Sequence, residues 1–113
     1  MVYSLISLNN MDDLEKRSYY IDLFEVYEKL LTPHQINYFK AYYYDDLTLQ
    51  EISDNFSVSR NAIFDQLKKT VEILLNYENK LHLDKIKKEL YAFSEKLDEK
   101  MQNQLLEIIE DVK

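Results

Sequence analysis

The stretch Leu47–Thr70, LTLQEISDNFSVSRNAIFDQLKKT, decides the fold. Thr48 is a good helix N-cap, and Glu51 three residues later completes a capping box. A first helix is expected to run to about Asn55 and to bury Leu49, Ile52 and Phe56. Phe56-Ser57-Val58 then makes a turn. Ser59 is a second N-cap, and a longer helix starts at Arg60, in which Ile63, Leu67, Val71 and Leu74 recur at helical spacing. A short helix, a tight turn and a second capped helix form the unit that lays its second helix in a DNA major groove.

Working outward, Thr32-Pro33-His34-Gln35 is another helix start: Thr32 caps, Pro33 takes the first helical position and Gln35 the capping-box position. Ile36, Phe39, Tyr42 and Tyr43 are expected to face the core, and Asp45-Asp46 connects to the motif. Upstream, Leu23, Val26, Tyr27, Leu30 and Leu31 give an apolar stripe over Leu14–Leu31 that Tyr19, Tyr20 and Phe24 widen. Downstream, one long amphipathic helix is expected over residues 83–112. Ile86, Leu90, Phe93, Leu97, Met101, Leu105, Ile108 and Val112 recur there at three- and four-residue steps. The expected architecture is one all-α domain over residues 1–113: an N-terminal arm (1–13), a helical core (14–80) with the helix-turn-helix at 47–70, and the C-terminal helix.

Composition agrees with that class. The chain has 113 residues, no Gly and one Pro, so hairpins built on tight glycine turns are disfavoured. It has no Cys, which excludes disulfides, thiolate metal sites and cysteine catalysis. No apolar run approaches the ~18 residues needed to span a membrane, and Val2–Leu8 lacks the basic flank of a signal peptide. A cytoplasmic protein without membrane insertion is expected. The net charge is −7, distributed as −3, −2 and −2 over Met1–Leu31, Thr32–Lys80 and Leu81–Lys113. No segment is basic, which argues against tight autonomous binding to nucleic acid, where phosphate contacts supply much of the affinity.

The candidate DNA-binding residues lie on the outer side of the second motif helix. Ser59 and Arg60 open it, Arg60 within reach of a phosphate. Asn61 is suited to adenine, and Lys68 and Lys69 to backbone or guanine. Asp65 and Glu72 share that side; a carboxylate can accept from cytosine but repels phosphate. Tyr42-Tyr43-Tyr44 has no interleaved Arg or Lys, so packing explains it better than base stacking. His34 and His82 are isolated, without metal-ligand spacing. Carboxylates are expected on solvated helix faces near lysines, as Glu95 and Glu99 are near Lys96 and Lys100. No catalytic constellation and no cofactor or metal site is read, so no enzyme activity is expected.

The motif resembles region 4 of bacterial sigma factors, with Ser57 standing where that pattern usually has Gly. Beyond it, Tyr27-Glu28-Lys29-Leu30-Leu31-Thr32-Pro33-His34-Gln35, Tyr42–Leu49, Ser59–Asp65 and Tyr77–His82 together resemble the YlxM-type family of helix-turn-helix proteins, over roughly Tyr20–Leu83. The resemblance implies a small bacterial cytoplasmic regulatory protein, encoded beside signal recognition particle genes, with double-stranded DNA or signal recognition particle components as partners. The alternative function is a protein-interaction adaptor that keeps the fold without autonomous DNA binding, its acidic surface seeking a basic partner. The C-terminal stripe must be buried. It either folds back over the first helices or joins two copies, and a homodimer through the C-terminal helix is expected.

Overall fold

The computed structural model describes residues 11–111, and these form six α-helices with no strand among them. They are α1 (Asp13–Tyr27), α2 (Pro33–Phe39), α3 (Leu49–Phe56), α4 (Arg60–Leu81), α5 (Leu83–Ser94) and α6 (Glu99–Glu110). A 3-10 turn, Glu28–Leu30, follows α1, and a π-helical turn, Lys40–Tyr44, continues α2. The all-α class and the helix-turn-helix expected from the sequence are present. Of the arm expected at the N-terminus, residues 1–10 lie outside the described residues, as does Val112 of the C-terminal stripe. Asp12 caps α1, its carboxylate accepting from the Glu15 N–H at 2.8 Å.

Two apolar clusters sit on α4, one near each end. Tyr19, Leu23, Phe24, Tyr27, Leu31, Phe39 and Leu74 form the first, with the Phe24 and Phe39 rings stacked at 4.3 Å. Tyr38, Ala41, Ile52, Ile63 and Leu67 form the second, beneath the helix-turn-helix. Phe56 departs from expectation. It is 38% exposed at the surface and rests against Tyr38 edge to face, ring centroids 5.0 Å apart. Leu30 is also outside, because the chain tightens into the 3-10 turn at Glu28 and changes helical phase.

Both capping boxes form. Thr32 accepts from Gln35 N–H and Gln35 from Thr32 N–H; Thr48 and Glu51 do the same at 3.1 and 3.0 Å. The bond from Thr48 N–H holds the Glu51 carboxyl below the usual carboxylate range. The motif turn is closed without glycine. Ser57 adopts φ 55°, ψ 40°, the left-handed region that a Cβ disfavours by roughly 1–2 kcal/mol. Local hydrogen bonds hold it there. Ser57 and Val58 N–H both donate to Ser53 C=O, and the Ser53 hydroxyl donates to Val58 C=O at 2.5 Å.

The C-terminal segment corrects the expected single helix. It is two helices, α5 and α6, packed on each other. After Ser94 the backbone turns with Lys96 N–H to Phe93 C=O and Leu97 N–H to Ser94 C=O, and Asp98 caps α6 by accepting from Met101 N–H at 2.9 Å. The apolar spacing runs unbroken through this turn, while the cap ends the ladder.

A second correction concerns the carboxylates. Glu78 and Asp84 are 7% and 3% exposed, where solvated positions were expected. Glu78, in the last turn of α4, accepts from the Tyr27 hydroxyl at 2.6 Å and from Asp84 and Lys85 N–H at 3.0 and 3.1 Å. It caps α5 from the preceding helix, while His82 makes the corner at φ 57°. Asp84 pairs with Lys88 at 2.9 Å, and Lys88 also reaches Asp22 of α1 at 3.0 Å. Burial pushes the Asp84 carboxyl up against the pull of Lys88. Lys88 is raised because two carboxylates hold its one ammonium, which outweighs its own burial.

Three outcomes test this fold. Glu78→Ala strands the Tyr27 hydroxyl and two helix-terminal N–H groups, so chemical denaturation should show a loss of roughly 2–4 kcal/mol, with Glu78→Gln losing less. Asp84 binds its proton more tightly folded than unfolded, so its charge opposes folding above its folded pKa and that penalty fades as pH falls toward the ordinary aspartate value. Asp84→Asn should therefore gain on the parent protein near neutral pH, the difference shrinking on acidification. Ser57→Gly should raise stability by about 1 kcal/mol, read as a higher Tm.

Candidate nucleic-acid interface

α4 begins at a side-chain cap: Ser59 Oγ accepts from Ala62 N–H at 3.1 Å, while its backbone C=O accepts from Ile63 N–H at 3.1 Å. The Ser59 oxygen is thus committed to the helix end. Inward, α4 buries Ile63, Leu67, Thr70, Leu74 and Glu78. Thr70 stays inside because its hydroxyl donates to Gln66 C=O at 2.7 Å. Ile63 and Leu67 fix the helix against α3 in the second cluster, and Leu74 fixes its far half against α1.

At 100° per residue, that inward edge turns the candidate residues outward. Arg60, Asn61, Asp65, Lys68 and Lys69 are all exposed, as is Glu72. The arrangement brings Asn61, Asp65, Lys68, Lys69 and Glu72 onto one side, with Arg60 and the Ser59 cap at its N-terminal end. Among the described residues none of Arg60, Lys68 and Lys69 forms an ion pair. Three cations and two carboxylates on this face make a weak electrostatic attractor for a phosphate backbone, with donors and acceptors spaced for base edges.

Sequence reading missed two residues here. Phe64 is 53% exposed on α4, one turn from both Arg60 and Lys68. With Tyr20, Tyr42, Tyr43, Leu49, Leu67, Val71 and Leu75 it lines an open groove of about 420 Å³ beside the outward face. Its signal was the step of 100° from buried Ile63, which places it at the boundary of the apolar side. Val71, expected to pack inward, lies half-buried in this groove. The other missed residue is Arg17 of α1. It donates to Tyr42 and Tyr43 C=O at 2.8 and 3.1 Å and to Asp46 at 2.6 Å, and stands over both tyrosine rings. It thereby satisfies the carbonyl end of the π-helical turn that leads into the motif. Burial, helped by the neighbouring phenols of Tyr42 and Tyr20, pushes Tyr43 up to about 12, so its hydroxyl stays protonated at neutral pH.

The tyrosine triplet is therefore packed, not splayed for stacking: Tyr43 lies on Phe39 at 4.3 Å, and Tyr44 leans on Phe24 at 5.8 Å. His34 stacks on Tyr38, and His82 serves as the α4–α5 corner. Among the described residues no group of three or more His, Asp or Glu is placed to hold a metal ion. No helix there is long and apolar enough to cross a membrane.

Comparison with known proteins bears on this geometry. Residues 14–112 match the family described as "Putative helix-turn-helix protein, YlxM / p13 like" (UPF0122), which is not an enzyme family. Over 74 residues the chain is 49% identical to a UPF0122 protein of Streptococcus pyogenes serotype M5, covering 66% of each chain. Over 71 residues it is 51% identical to a UPF0122 protein of Pediococcus pentosaceus, covering 63% of each. The matched stretch thus spans slightly under two-thirds of these relatives. With a capped helix-turn-helix and a family match over nearly all the described residues, the chain belongs to the YlxM / p13-like family, UPF0122.

Proposed function

We propose that the chain is a cytoplasmic helix-turn-helix regulatory protein that sets α4 in the major groove of double-stranded DNA. The observation that carries this reading is the outward face of α4, where Arg60, Asn61, Asp65, Lys68 and Lys69 stand opposite the buried Ile63, Leu67 and Leu74. Arg60, Lys68 and Lys69 supply phosphate contacts and Asn61 a base contact, while Asp65 limits non-specific binding by repelling phosphate. The resemblance to the YlxM type supports components of the signal recognition particle pathway as the setting of this regulation. A second copy of the chain is the remaining partner, and two motifs would then meet a two-fold site.

A second reading, a protein-interaction adaptor, draws on the groove beside α4. An exposed Phe64 over apolar walls is suited to a partner side chain, and the net charge of −7 favours a basic partner.

Electrophoretic shift at low salt separates the two. Asp65→Asn should strengthen binding to random duplex several-fold. Lys68→Ala with Lys69→Ala should weaken it and flatten the dependence of log K on log salt by about two. No shift with either the parent protein or Asp65→Asn rules out DNA and leaves the adaptor. In that case capture from lysate should resist nuclease and fail for Phe64→Glu.

A further inference from the structure

One large apolar side chain of α4 has no task in the fold. Phe64 is 53% exposed, belongs to neither apolar cluster and, among the described residues, stacks on no other ring. It stands one turn after Arg60 and one turn before Lys68, neither of which forms an ion pair among the described residues. Asn61 is also one turn away, exposed, and its side chain makes no hydrogen bond among the described residues.

The position of the ring is nonetheless set by the fold. The preceding residue, Ile63, is fully buried in the cluster beneath the helix-turn-helix, and Ser59 caps the helix one turn earlier. Phe64 lines the open groove with Leu67 and Val71 of its own helix. The hairpin of α5 and α6 leaves from the opposite end of α4, beyond His82, and packs on α1.

An α-helix about 10–12 Å across fills a major groove about 12 Å wide, so the flanks of the helix meet base edges as well as its tip. Phe64 lies on such a flank, between two cations placed for phosphate. A phenyl ring has nothing to offer a phosphate or a polar base edge. The apolar group that the major groove presents is the C5 methyl of thymine. Asn61, suited to adenine, is three residues away, about 4.5 Å along the helix axis, close to the ~3.4 Å step between base pairs.

We propose that Phe64 is a specificity-determining residue of the DNA face, its ring packed on the C5 methyl of a thymine in the base pair next to the one whose adenine Asn61 reads. This rests on the major-groove reading proposed above and adds the bases that the face selects. Phosphate attraction is weak on a face with three cations and two carboxylates, so an uncharged contact carries a larger share of the discrimination.

Selection by the full chain from a random-sequence duplex pool at low salt supplies the probe. The enriched duplex should carry a thymine beside an adenine. Placing deoxyuridine at each thymine in turn removes only a methyl group. At one position it should weaken binding by the parent protein about 3- to 5-fold, the effect of burying one methyl. Phe64→Ala should bind the thymine and uracil duplexes alike, with circular dichroism unchanged, since the side chain lies outside both clusters. Phe64→Leu should keep a smaller part of the difference and decides the matter if alanine disturbs the helix. Equal binding of the two duplexes by the parent protein overturns the proposal and leaves the DNA reading standing. So does a methyl effect that persists undiminished in both variants. A parent protein that enriches no sequence and binds no duplex overturns both, and leaves Phe64 to a protein partner.

Discussion

The Glu78 carboxylate is the constraint on which the arrangement of helices depends. It lies in the last turn of α4, accepts from the Tyr27 hydroxyl at the end of α1, and accepts from the second and third N–H groups of α5, while the first, that of Leu83, donates to the Tyr27 oxygen. A buried anion is tolerated there because three donors converge on it, two of them at the positive end of a helix. Three helices are thereby fixed at one buried carboxylate. His82 can then take a left-handed corner, because the chain on both sides is already held. The direction in which the hairpin leaves the core, and so which of its sides faces α1, follows from this junction and from Lys88 between Asp22 and Asp84.

The opposite end of α4 is held by different means. There the turn between α3 and α4 relies on backbone and hydroxyl bonds around Ser53, Ser57 and Val58, over a small cluster of Ile52, Ile63 and Leu67. Asp46, Ser57 and His82 are the three residues of positive φ among those described, and none is glycine. Each sits where the chain changes direction and where a hydrogen-bonding neighbour, Arg17, Ser53 or Glu78, compensates the strain.

Much of this was legible in the residues. Thr32, Thr48 and Ser59 as caps fixed three helix starts, because capping is local chemistry between residues three apart. The outward placement of Asn61, Asp65 and Lys68 followed from the phase of Ile63, Leu67 and Leu74. What stayed hidden is non-local. Arg17 and Tyr42 are 25 residues apart, and Tyr27 and Glu78 are 51 apart; no periodicity links either pair. Glu78 read as a solvated acid because burial of a carboxylate depends on donors from other helices. The break before α6 has a local signal in Asp98, a residue type that caps helices, but the apolar stripe of helical period runs through it unbroken. Stripe and cap report different things: which face is apolar, and where the backbone ladder stops. Phe64 was overlooked for a related reason, since one hundred degrees from a buried neighbour is the edge of a face, neither core nor surface.

The length of α4 has a mechanical consequence. Its 22 residues rise about 33 Å, and each end is seated in a separate apolar cluster. Were only one end held, a tilt of about 5° at the Glu78 end would sweep the Ser59 end through about 3 Å, comparable to the spacing of neighbouring base pairs. The seating of Ile63 and Leu67 against α3 is therefore what keeps the far tip of α4 in register, over an arm long enough to turn a small rotation into a base-pair step.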